Sequence, residues 1–308
     1  MTAIFNTHVI VDWSARSVPS PKRPSKDAIW FAVVRDGAPS GPVYCRTRDS
    51  ALTELADLLA DEVAQNRRVL IGFDFPFGYP AGVAKRICGS DRALDLWQWF
   101  ADAVTDGPDN QSNRFDIAAQ INRLYDGIGP FWGRPETWDV PDVPPRASTR
   151  CGADHPPEHR LADARAKGAK TVWQLAYAGS VGSQVILGLP ALQRLRSDPR
   201  LADFVAVWPF QTGLECPHAS VVFAEIYPSL LQPQAHAARQ QDEVLDSAQV
   251  RVNATAFARL DRSGGLASLF AGIDGLSAEE RRIIEREEAW ILGLGHETAL
   301  QHAAMEPA

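Results

Sequence analysis

Val69-Leu70-Ile71-Gly72-Phe73-Asp74-Phe75-Pro76-Phe77-Gly78 is an apolar run too short for a helix, with one carboxylate at its far end and then a break at Pro and Gly. That pattern describes a buried strand delivering an acid to a sheet edge. Two other stretches repeat it. His8-Val9-Ile10-Val11-Asp12-Trp13-Ser14 ends an apolar strand in Asp12, and Val221-Val222-Phe223-Ala224-Glu225-Ile226-Tyr227-Pro228 ends one in Glu225. Three strand-end acids in one chain suggest a metal site.

Between the first two of these strands the chain reads as an antiparallel meander. A polar, Pro-rich loop from Ser14 to Lys26 precedes a strand over residues 28–34, which the turn signal Arg35-Asp36-Gly37 closes. A short third strand, Pro42 to Arg46, follows at hairpin distance. Ser50 to Gln65 is a helix with Leu52, Leu55, Leu59 and Val63 on one face and Asp49 or Ser50 as its cap. A helix between two strands is the crossover that parallel pairing needs.

Residues 79–170 lose this regularity. Helices are expected at Ala93 to Val104 and Asp116 to Tyr125, and the segment from Pro130 to Pro157 is dense in Pro, Gly and Trp. This is an insertion of the kind that covers a site; its Trp132 and Trp138 either stack on a base or fill a small satellite core. Beyond it come a helix over Ser183 to Arg196, a strand over residues 204–208, the strand ending at Glu225 and a long amphipathic helix from Asp242 to Leu260. A helical extension over about residues 262–308 contains a helix capped by Ser277 with Glu280 three residues on. The whole is expected to be one α/β domain over residues 1–308.

The composition narrows the function. With 308 residues and 45% hydrophobic content the chain can bury a full core. No apolar run approaches the length of a membrane span, and the first residues lack a signal-peptide pattern, so a cytoplasmic location is expected. Cys45, Cys88, Cys151 and Cys216 form no Cys-x-x-Cys pair and are expected as reduced thiols. A net charge of −7 argues against nonspecific coating of duplex nucleic acid, which rests on many cationic contacts to phosphate. Two basic stretches run against that sign, and Arg150 and Lys170 of the second are candidate phosphate contacts. The stretch Gly179-Ser180-Val181-Gly182-Ser183 precedes a helix but lacks a P-loop lysine, and it reads as a loop.

Three antiparallel strands, a helix, a parallel strand, a helix, a further strand and a closing helix is the element order of the ribonuclease H fold: a mixed sheet with helices on both faces, here carrying a large insertion. In that layout Asp12 and Asp74 end neighbouring parallel strands, where open α/β sheets place ligands. The closing helix brings Asp246 to the same edge. Hard carboxylate oxygens suit Mg²⁺ or Mn²⁺. Two such ions can activate water and stabilise the leaving oxygen of a phosphodiester.

The blocks Val11-Asp12-Trp13-Ser14, Gly72-Phe73-Asp74-Phe75-Pro76-Phe77-Gly78, Glu225-Ile226-Tyr227-Pro228-Ser229, Asp246-Ser247-Ala248 and Glu288-Ala289-Trp290-Ile291-Leu292-Gly293 resemble a family of predicted ribonuclease H-like nucleases, catalogued mainly as a domain of unknown function. In the last block Ala289 stands where Gly is commoner. The resemblance implies the fold and an acidic metal site of Asp12, Asp74, Glu225 and Asp246, Asp246 being preferred on this ground to Asp242. The expected function is divalent-metal-dependent phosphodiester hydrolysis on single-stranded or structured nucleic acid. A non-catalytic scaffold of the same fold and a small-molecule phosphoesterase with the same site are the alternatives. Carboxylates salt-bridged to Arg would favour the scaffold. ATP hydrolysis of the sugar-kinase kind ranks low, because Asp12-Trp13-Ser14-Ala15-Arg16 offers no Gly-rich phosphate turn.

Overall fold

The computed structural model describes residues 3–306. The organising element is one mixed sheet. Strands β1 (Thr7–Asp12), β2 (Ile29–Arg35), β3 (Ala38–Pro39) and β4 (Val43–Cys45) come first, followed by helix α1 (Arg48–Ala64) and strand β5 (Val69–Phe73). Four helices, α2 (Val83–Cys88), α3 (Ala93–Ala103), α4 (Arg114–Asn122) and α5 (Leu161–Arg165), lie in the irregular segment; α6 (Gly182–Arg196) leads to β6 (Val205–Val207) and β7 (Val221–Glu225). The chain closes with α7 (Gln232–Ala238), α8 (Leu245–Arg262), α9 (Leu266–Leu269), α10 (Ala278–Ile283) and α11 (Glu297–Met305).

In space the strands run β3-β2-β1-β5-β7-β6, with β4 pairing the other end of β2. The expected third meander strand is β4, which pairs Ile29 to Phe31, and an additional short strand, β3, pairs Val34 and Arg35. β1 runs antiparallel to β2 and parallel to β5; β5, β7 and β6 are mutually parallel. Helix α1 starts two residues before the expected position, because Thr47 takes the cap and accepts from the Ser50 amide.

Both faces of the sheet are covered, which is why its central strands read as continuous apolar runs. Val9, Val11, Ile71, Phe73, Val221 and Phe223 share one core with the apolar stripes of α1, α3 and α6. Ile10, Leu70, Val222 and Ala224 face the other, against α8 and α11. At the end of β5 the chain turns back tightly against the segment before Ala289. A Cβ on Gly78 would lie 2.0 Å from the Glu287 carbonyl oxygen, so only glycine admits this approach. No helix among the described residues is long and apolar enough to cross a membrane.

Candidate functional site

Strand pleat decides which acids meet. Side chains alternate between faces, so residues two apart share one. Asp12 follows Ile10 and His8 in this alternation, and Asp74 follows Gly72 and Leu70; both therefore belong to the face covered by α8. The register pairs Val11 with Phe73, which sets Asp12 and Asp74 side by side one residue beyond. Asp246 lies in the first turn of α8 and approaches the same point. Asp242, the rival acid, falls outside the helix and is exposed.

Two of the three carboxylates are held by a backbone amide. The Trp13 N–H donates to Asp74 Oδ1 at 2.7 Å, and the Asp27 N–H donates to Asp246 Oδ2 at 2.8 Å. Asp12 contacts the Asp74 side chain directly. Among the described residues none of the three forms an ion pair with Arg, Lys or His within 4.0 Å. Burial, then the charges of Asp74 and Asp246, push the Asp12 carboxyl well above the usual carboxylate range. Burial likewise raises Asp74 to about 7 against the opposing pull of the Trp13 amide, and burial raises Asp246. The cluster is short of positive charge.

Glu225 does not join it. The register pairs Glu225 with Phe73, one residue short of the Asp12–Asp74 level, and the residue in line with the two acids is Ile226. Glu225 therefore leaves the sheet on the alternation of Phe223, and its oxygens are taken. The Phe77 N–H donates to Oε2 at 2.9 Å, and the Arg160 guanidinium donates to both oxygens at 2.8 and 2.6 Å. Arg160 is fully buried, binds both oxygens of Asp163 and donates to the Glu288 carbonyl. This is a structural clamp between the irregular segment, the sheet edge and the C-terminal part. Because β7 runs parallel to β5, Glu225 still ends at the same edge as the other acids; pleat and pairing, rather than edge, separate it from them.

Arg150 is also away from the acids: it pairs with Glu158 at 2.9 Å and lies over the Trp132 ring. Lys170 borders a small pocket of about 40 Å³ shared with Asp74 and Glu225. Trp132 is partly buried, and Trp138 is exposed against Phe115, outside the cleft.

The three aspartates open into a cleft of about 710 Å³. Arg16 and Lys26, from the first of the two basic stretches, also line it, as do two residues that carried no signal along the chain, Arg114 and Tyr177, with the Gly179 to Ser183 stretch beside them. Arg114, at the first position of α4, is buried, and its bonded partners are the hydroxyls of Ser17, Ser112 and Ser183. Burial, reinforced by neighbouring Arg48, lowers its guanidinium to about 10. Arg48 in turn donates to the carbonyls of Ser14 and Arg16 and to Asp106, fastening the loop that follows Asp12. Only the tertiary arrangement reveals these roles, since both arginines sit at helix starts, where the macrodipole disfavours cations.

Among the described residues no group of three or more His, Cys, Asp and Glu side chains stands ready-made around a metal position. The donors nearest to fitting a cation are Asp12 and Asp74, hard oxygens in side-chain contact, with Asp246 beside them. Such a partial set suits an ion that keeps several waters. Compared with protein-family models, with curated proteins and with solved structures, the chain matches none.

Proposed function

We propose that this protein is a ribonuclease H-like, divalent-metal-dependent phosphodiester hydrolase whose cation is held by Asp12 and Asp74, with Asp246 completing the site. The observation that carries the reading is the placement of Asp12 and Asp74 at the ends of adjacent parallel strands, on one face and without a cationic partner. The absence of an arginine partner supports an enzyme over a scaffold, in which such acids would be neutralised as Glu225 is. Parallel β1 and β5 flanked by the antiparallel β2, and α8 closing over that face, support the fold assignment.

Bound Mg²⁺ or Mn²⁺ would supply a water of lowered pKa and neutralise charge on the phosphate. The chain does the positioning. The Trp13 amide donates to Asp74, and Gln184 secures Trp13 by donating to its carbonyl at 2.7 Å. Ser14 donates to the Asp27 carbonyl at 2.6 Å, so the loop that presents the Asp27 amide to Asp246 is closed on the strand it leaves. Such preorganisation lowers the cost of aligning groups during reaction.

The test is Mn²⁺-dependent cleavage of single-stranded, duplex and branched oligonucleotides by the wild type and by Asp74→Asn. Cleavage that requires both Mn²⁺ and Asp74 is expected. Cleavage undiminished in the variant refutes the assigned site.

A further inference from the structure

Tyr177 stands out in the lining of the cleft that holds the acids. It is 57% exposed, the second largest exposure among the large hydrophobic side chains, and it lines the cleft. Its backbone sits at φ +75°, a conformation that costs a bulky residue energy and that glycine or asparagine would take more readily. Among the described residues the ring makes no aromatic contact with another side chain, and its hydroxyl reaches only the Arg134 carbonyl, at 3.4 Å. Strain at an exposed ring with so little to hold it is not repaid by packing.

The turn that presents the ring is nevertheless firmly built. The Ser180 N–H donates to the Tyr177 carbonyl at 3.1 Å, closing a turn with Gly179 at φ +78°. The Gln174 side-chain amide donates to the carbonyls of both Ala176 and Ala178, the two neighbours of Tyr177. Ser183 donates to the Leu175 carbonyl at 2.6 Å while accepting from buried Arg114, which ties the turn to the cation in the cleft wall. Of the five guanidinium N–H groups of Arg114, three are used on hydroxyls, and its bonded partners include no carboxylate.

The cleft thus contains three different surfaces: carboxylates suited to a cation, a buried guanidinium bonded to hydroxyls alone, and a preformed exposed aromatic face. From this juxtaposition we propose that the cleft takes an unpaired stretch of nucleic acid, one base stacking on Tyr177 and a neighbouring phosphate facing Arg114. A base inside a duplex has no free face to offer, so the ring selects single strands or unpaired segments. Stacking is tolerant of base identity, so little sequence preference is expected. The inference rests on the hydrolase reading for its choice of phosphodiester, and it names the substrate class of that same site.

The experiment measures binding, not turnover. Labelled oligothymidylate and oligouridylate of about twelve nucleotides, a length within known single-strand site sizes, and a duplex of the same length are titrated by fluorescence anisotropy. The full chain is used as wild type, Tyr177→Ala and Tyr177→Phe, with Ca²⁺ present. Loss of one stacked base predicts about tenfold weaker single-strand binding for Tyr177→Ala. Tyr177→Phe should bind like wild type, and the duplex should bind more weakly and without dependence on residue 177. The DNA and RNA arms tell which strand is preferred. Equal single-strand affinity of wild type and Tyr177→Ala overturns the proposal, as does tighter duplex binding. Tyr177-dependent binding without any Mn²⁺-dependent cleavage would sink the hydrolase reading and leave this one standing; cleavage with Tyr177-independent binding would do the reverse.

Discussion

Replacing Asp74 by Asn should stabilise the cation-free protein. The Asp74 carboxyl rises from an ordinary 3.8 to about 7, chiefly through burial, with Asp246 adding to it. Its folded pKa lies above the unfolded one, so between those values the folded state holds more protons than the unfolded chain. Stability from this group is therefore present at low pH and falls as pH rises toward 7. At 1.36 kcal/mol for each tenfold, the rise corresponds to a ceiling of about 4 kcal/mol of destabilisation at pH above 7. Water reaching this half-buried side chain, and the weaker bond that a neutral amide accepts from Trp13, reduce the expected gain to about 2 kcal/mol.

The assay is chemical denaturation in EDTA across pH 5 to 8, taking wild type and variant side by side so that acids outside the cluster cancel; relief of Asp12 from the Asp74 charge adds to the variant's gain. The difference between them should grow with pH and level off near pH 8. Saturating Mn²⁺ should then reverse the order, because at about a hundredfold excess over Kd a ligand of the wild type alone adds about 2.7 kcal/mol. A variant less stable than wild type in EDTA at pH 7.5, or a pH-independent difference, refutes the idea of an acid cluster awaiting a cation.

Arg160→Met leaves Glu225 and Asp163 buried without their partner, which should cost about 3 to 5 kcal/mol and, at roughly 2 °C per kcal/mol for a chain this long, lower Tm by about 6 to 10 °C; a shift under about 2 °C by calorimetry refutes the clamp. Ala289 is buried at φ +65° and ψ −174°, backbone space that is almost wholly glycine's. Ala289→Gly relieves about 1 to 3 kcal/mol of strain but loses about 0.8 in methyl burial and about 0.4 to 1 in chain entropy, so denaturation should find it neutral to slightly stabilised. Ala289→Val should be destabilised by more than about 2 kcal/mol, since a branched side chain at this φ adds both clash and strain. Thr47→Ala removes the α1 cap and should cost about 1 kcal/mol in the same measurement, with metal affinity unchanged because α1 carries none of the three acids.

The alternation of apolar residues and the acids that end two strands were readable along the chain, and they led to the mixed sheet, to its crossover helix and to the pairing of Asp12 with Asp74. That legibility has a local cause: a strand buried on both faces must be apolar throughout, so a carboxylate at its end is conspicuous. Asp246 was chosen over Asp242 through the resemblance alone, because the expected helix began at Asp242 and its local pattern did not separate the two acids; the observed start at Leu245 does. Glu225 carried the same signature and proved to be different, because a one-residue offset in register, which no strand encodes alone, turned it to Arg160 and put Ile226 in the aspartates' row. Arg114 and Tyr177 were invisible beforehand, being an ordinary helix residue and an ordinary loop residue until the chain brought them to one cleft. Period and burial are written into each segment; register, pleat and the meeting of distant loops arise only when all segments pack together.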